Sequence, residues 1–91
     1  MLIVVAYDVP DDRRRGRLAH ALKDFGERVN YSVFECHLKA SELDRLRRRA
    51  LGLIDAEEDS LRIYRMCAEC APRREAHGVG RPTEDPDVYI V

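Results

Sequence analysis

The sequence predicts an α+β fold in one domain spanning residues 1–91, with two helices lying on one face of an antiparallel sheet. Three observations lead there. An apolar run opens the chain, two later segments carry apolar residues at helical spacing, and further strand-like runs are interleaved with them. The order reads β-α-β(β)-α-β-β-β, with no internal repeat, low-complexity tract or linker.

Residues 2–7, "LIVVAY", are apolar at every position, the pattern of a strand buried on both faces. Asp8 ends this run, Pro10 follows, and Asp11 or Asp12 is placed to cap the next helix. Leu18, Leu22 and Phe25 recur at i, i+4 and i+7 and form its core stripe, and Gly26 closes it. In the run "RVNYSVFECHL", Val29, Tyr31 and Val33 share one parity, whereas Phe34, Cys36 and Leu38 share the other. A regular strand does not change faces, so a bulge or kink near Ser32–Phe34, or a break into two strands, is expected.

Ser41 is expected to cap a second helix, whose apolar positions are Leu43, Leu46, Ala50 and Leu53 or Ile54. Residues 59–66 read as a strand with Leu61 and Ile63 on one face, and residues 73–80 as a weak strand containing Gly78 and Gly80. Residues 1–80 would form the core, and residues 86–91 a short C-terminal strand led by Pro86. This order suggests a ferredoxin-like βαββαβ sandwich. Two helices cover only one face of such a sheet, so the apolar first strand needs another cover, which a second copy of the chain would supply.

The 91 residues carry a net charge of -1 and 45% hydrophobic content, which suits a small globular fold. No apolar run approaches the roughly 18 residues of a membrane span, and no signal peptide is recognisable, so a cytoplasmic protein with no membrane partner is expected. The near-zero sum hides segregation. Arginines cluster at 13–17 and 45–49, acids at 55–59 and 84–87. Cations at a helix N-terminus oppose its dipole, so helix stability does not account for Arg13, Arg14, Arg15 and Arg17. Of three cysteines, Cys67 and Cys70 form a C-x-x-C. A zinc site would need help from Cys36 with His37 or His77, and Pro72 argues against a helix-opening redox pair. Small, half-buried residues at a strand end are the plainer expectation.

A strand ending in "YD", then "DDRRRGRLAHALKDFGERV", "SVFEC" and "DSLRIYRMCAEC", resembles the CRISPR-associated protein two family, the small core protein of CRISPR spacer acquisition. The resemblance runs in order from residue 2 to about residue 80. Asn30 departs from it, standing where the family usually has Gln, with the same amide on a shorter arm. The resemblance implies a ferredoxin-like homodimer in which each C-terminal strand joins the partner's sheet. It also implies a metal-dependent endonuclease acting on single-stranded RNA or double-stranded DNA. The alternative role it implies is a non-catalytic adaptor that binds duplex DNA and bridges CRISPR integrase dimers.

Asp8 is then the candidate catalytic and metal-binding residue. Mg²⁺ or Mn²⁺ takes carboxylate oxygens, and two Asp8 side chains brought together by a dimer axis would hold one shared ion. Otherwise Asp8 caps the first helix or pairs with nearby arginines. Arg14, Arg15 and Arg17 are candidate nucleic-acid contacts because guanidinium forks match phosphate oxygens. Arg28 joins them because the resemblance sets its strand beside the metal. Tyr7, Ser32 and Phe34 read as interface or supporting residues, through core packing for Tyr7 and Phe34 and backbone bonding for Ser32. Arg45, Arg47, Arg48 and Arg49 lie on the outer face of the second helix, where they extend a duplex track or simply meet solvent.

Overall fold

In a computed structural model, which describes residues 1–84, β1 (Leu2–Asp8), β2 (Glu27–Asn30), β3 (Val33–His37) and β4 (Ser60–Met66) form one antiparallel sheet. The strand order is β2-β3-β1-β4, and α1 (Asp12–Leu22) and α2 (Ala40–Leu51) pack on one face. Each helix crosses between strands that are not sheet neighbours, which is the split βαβ arrangement of a ferredoxin-like sandwich.

Side-chain alternation sorts the strands. Ile3, Val5 and Tyr7 of β1 and Phe34 and Cys36 of β3 point to the helices and are buried. There they meet Leu18 and Leu22 of α1 and Leu43, Leu46 and Ala50 of α2, while Leu61 and Ile63 of β4 lie against the margin of the same core. The opposite face carries Leu2, Val4, Ala6 and Asp8 of β1. Beside them in register stand Val33, Glu35 and His37 of β3 and Ser60, Arg62, Tyr64 and Met66 of β4. Among the described residues no α-helix covers that face. Val4, Ala6 and Val33 are only half-buried, and Tyr64 is exposed.

The parity change in "RVNYSVFECHL" is resolved by a break into two strands. Tyr31 and Ser32 form the turn, and the β2–β3 register slips between Arg28 and Asn30. Three local expectations are corrected. Ser41 does not cap α2. It lies inside the first turn, and the Glu42 carboxylate instead accepts the Lys39 N–H at 2.9 Å. Gly26 does not terminate α1 by a left-handed turn. It permits close approach, because a Cβ there would stand 2.3 Å from the Glu35 carbonyl oxygen and 2.5 Å from Cys36 Sγ. Residues 73–80 are not a strand. A 3₁₀ turn at Ala71–Arg73 leads into irregular chain, where Gly78 and Gly80 have φ of 81° and 105°. The expected strand at 86–91 lies outside the described residues.

The irregular chain is nevertheless tied down. Thr83 is buried at its far end, and its hydroxyl donates to Glu35 Oε1 at 2.6 Å. Thr83 Oγ1 itself accepts from Arg74 Nη1 at 3.0 Å and meets His37 Nε2 at 3.0 Å. With its single proton given to Glu35, the hydroxyl can only accept from His37, which fixes the proton on Nε2. Arg74 also donates to the Thr83 carbonyl at 2.7 Å, to the Ala71 carbonyl at 2.7 Å and to Glu35. This strap therefore closes on the helix-free face through Glu35 and His37.

Candidate functional site

One end of the sheet gathers most of the candidate residues. Asp8 ends β1 opposite Ser60, the loop into α1 begins there, and the Tyr31–Ser32 turn comes alongside when the Ser32 carbonyl accepts the Tyr7 N–H at 3.1 Å. Asp8 is exposed and shares the parity of the helix-free face. The capping role open to it in the sequence belongs to Asp11, whose carboxylate accepts the Arg14 N–H at 2.9 Å.

Tyr7 points the opposite way from Asp8 and is buried, with its ring centroid 6.4 Å from that of the fully buried Phe34. Its hydroxyl donates to the Tyr31 carbonyl at 3.4 Å. Burial pushes the Tyr7 phenol pKa up, against the pull of Arg28 and Arg15. Tyr7 and Phe34 are thus packing residues, and Ser32 acts through its backbone.

The arginines divide. Arg14 is half-buried and forks onto Asp59, with Nε 2.9 Å from Oδ2 and Nη2 3.2 Å from Oδ1, and it also reaches Glu58 at 3.0 Å. The Asp59 side chain is fully buried, and the same Oδ2 accepts the Asp55 N–H at 2.8 Å. The Arg14 hydrogen bonds hold the Asp59 carboxyl below the usual carboxylate range. Arg14 therefore joins α1 to the loop before β4. Arg15 braces the loop into α1, donating to the Val9 carbonyl at 2.9 Å and pairing with Asp12. Arg17 is exposed. Arg28 donates Nε and Nη2 to the Tyr31 carbonyl at 3.1 and 2.6 Å.

Sequence reasoning missed Tyr31. Its ring is exposed, with the Arg15 and Arg28 guanidinium groups 5.7 and 5.3 Å from its centroid. The signal was an aromatic residue interleaved with basic ones, in the very turn that the parity change required. An exposed ring beside two cations offers a stacking surface for a nucleobase inside a positive field. A shallow groove between α1 and α2 collects Arg13, Arg17, His20, Arg48 and Arg49. The second arginine cluster thus meets part of the first across the helix layer.

A model of the family described as CRISPR associated protein Cas2 matches residues 1–74. The chain belongs to the Cas2 family. It is 48% identical over 90 residues to CRISPR-associated endonuclease Cas2 2 of Thermus thermophilus, covering 99% of this chain and 96% of that one. It is 42% identical over 90 residues to CRISPR-associated endoribonuclease Cas2 3 of a Synechocystis species, covering 99% and 98%. In three dimensions it is similar to Streptococcus pyogenes Cas2, with a TM-score of 0.76, 32% identity and coverage of 86% and 100%. A chain in a partial Cas6-RT-Cas1–Cas2 complex gives a TM-score of 0.71 at 27% identity, covering 92% and 97%. The ferredoxin-like reading of the sequence therefore holds for a Cas2-family sheet. No helix among the described residues is long and apolar enough to cross a membrane.

Proposed function

We propose that this Cas2-family protein serves CRISPR spacer acquisition in the cytoplasm as a homodimeric endonuclease. It hydrolyses phosphodiester bonds of single-stranded RNA or double-stranded DNA with Mg²⁺ or Mn²⁺. The observation that carries this reading is Asp8, an exposed carboxylate ending the central strand on the helix-free face, at the same end of the sheet as the Tyr31 cluster. Half-buried Val4, Ala6 and Val33 on that face support pairing with a second copy.

The donor chemistry suits a hard cation. Asp8 offers carboxylate oxygen, and among the described residues no three His, Cys, Asp or Glu side chains group as a metal site. One chain therefore gives one ligand, and Asp8 from each of two copies would give the pair that Mg²⁺ commonly takes beside its waters. When bound, the cation would supply charge neutralisation and an acidified water. Tyr31, held by Arg28 and Arg15, would stack a base, and Arg17 with the inter-helix groove would meet phosphates. Arg14 serves by fixing the start of α1 through Asp59.

A second reading is the non-catalytic adaptor that binds duplex DNA and bridges CRISPR integrase dimers. The likeness to the chain of a complex that names Cas1 beside Cas2 favours it. Asp8→Asn separates the two. If Asp8 holds the metal, the purified variant loses metal-dependent cleavage while keeping its dimer mass and its affinity for duplex DNA. Cleavage at the wild-type rate would remove Asp8 from the reaction. Normal spacer acquisition with the inactive variant would assign the cellular role to the adaptor.

A further inference from the structure

Cys67 and Cys70 are not the half-buried strand-end residues expected from sequence: both are exposed, and neither is in a disulfide. β4 ends at Met66, and the chain then enters a helical turn in which the Cys67 carbonyl accepts the N–H groups of Cys70 at 3.1 Å and Ala71 at 3.0 Å. Such a turn puts residues i and i+3 on one side. Cys67 Sγ is turned inward and accepts the Cys70 N–H at 3.2 Å. Pro72, which argued in sequence against this arrangement, sits within the 3₁₀ turn Ala71–Arg73, at a position where its missing N–H costs nothing.

We propose that Cys67 and Cys70 form a reversible dithiol–disulfide couple that reacts with low-molecular-weight disulfides. This is independent of the nuclease reading. The two sulfurs have different parts. Hydrogen bonds from the Cys70 thiol and from the backbone N–H groups of Cys70 and Glu69 lower the Cys67 pKa, whereas Cys67 raises that of Cys70. Because Cys67 Sγ already takes the Cys70 N–H, Cys67 is the attacking thiolate and Cys70 the resolving thiol. The Cys67 thiolate attacks one sulfur of the small disulfide RSSR. That S–S bond breaks, one RS⁻ leaves and takes a proton, and a Cys67–S–S–R mixed disulfide remains. Cys70 then gives up its proton to solvent, attacks Cys67 Sγ and expels the second RS⁻, which is protonated in turn. The protein loses two electrons and two protons, and RSSR becomes two RSH.

Cys36 is an internal reference. It is fully buried against the helices, and burial, with Glu35 nearby, pushes its thiol up to about 11. It should neither react nor pair.

The test uses the whole protein and oxidised glutathione. After treatment, acid quenching, alkylation under denaturing conditions and trypsin cleavage, peptide 66–73 should be two hydrogens lighter and carry no alkyl group. Cys36 should remain fully alkylated, and dithiothreitol should restore both sites in peptide 66–73. Cys70→Ser should stop at a glutathione adduct on Cys67. Peptide 66–73 with both cysteines still alkylated, or with only glutathione adducts or cross-links between chains, would overturn the proposal. Circular dichroism of the variant confirms its fold. The wild-type result decides the matter even where a variant does not fold.

Discussion

Arg14 holds Asp59 in a two-pronged ion pair across 45 residues of sequence, with Nε on Oδ2 at 2.9 Å and Nη2 on Oδ1 at 3.2 Å. The carboxylate is shut away from solvent, so both of its oxygens depend on the protein for partners.

This pair gives stability a pH dependence of known sign. The folded-state pKa of Asp59 is depressed, so its contribution is complete above the ordinary aspartate value of about 3.9 and is lost as pH falls below it. Asp59→Asn should unfold at a lower temperature than the wild type at pH 7. The two melting curves should converge as the wild type is acidified below about pH 4. A constant gap down to pH 2 would separate the effect from the ionised pair.

Nucleic-acid affinity should fall steeply with salt. Replacing Arg17 and Arg28 with Ala should reduce the slope of log K against log salt by about one unit for each phosphate contact removed. Tyr31→Ala should instead weaken single-stranded RNA by about 1–3 kcal/mol with little change in slope, because stacking releases no counterions. Fluorescence anisotropy over a salt series reads both effects. An unchanged slope in the double arginine variant would remove both side chains from phosphate binding and leave Arg28 only its bonds to Tyr31.

Gly26→Ala tests the packing of α1's exit against β3. The new methyl meets backbone at Glu35 and Cys36, which cannot swing aside as a flexible side chain would. A loss of about 1–3 kcal/mol in urea unfolding is expected, in the range of overpacked cores. A neutral result would mean that the two segments separate easily.

Val4→Arg tests the helix-free face. Val4 is half-buried in the middle of β1, and the change leaves the opposite, core-facing side of the strand untouched. If two copies meet there, sedimentation should show a shift from dimer to monomer with unchanged helical content. An undiminished dimer would place the interface elsewhere.

The elements with one strong period were legible in the sequence. β1 showed as an unbroken apolar run, and α1 and α2 as stripes through Leu18 and Leu22 and through Leu43 and Leu46, because burial against one layer imposes that spacing. The parity change before Phe34 located the Tyr31–Ser32 turn but left its form open. Residues 73–80 were misread as a strand because hydrogen bonds among Glu35, Arg74, Thr83 and His37 hold that stretch, and such contacts leave no periodicity. Arg14 looked like its neighbours in a basic block. Only the fold brings Asp59 to it and sets it apart from the exposed Arg17.

The place of β1 at the centre of the sheet also governs how the chain is made. Of the four described strands it is made before its partners, and its two neighbours are β3, ending at His37, and β4, ending at Met66. At about 5–20 residues per second, its second edge stays unpaired for seconds after its own synthesis. During that wait "LIVVAY" is an apolar, uncharged strand open to pairing with another nascent chain. The charged block from Asp11 to Arg17 immediately behind it puts a soluble gatekeeper next to the segment most in need of one.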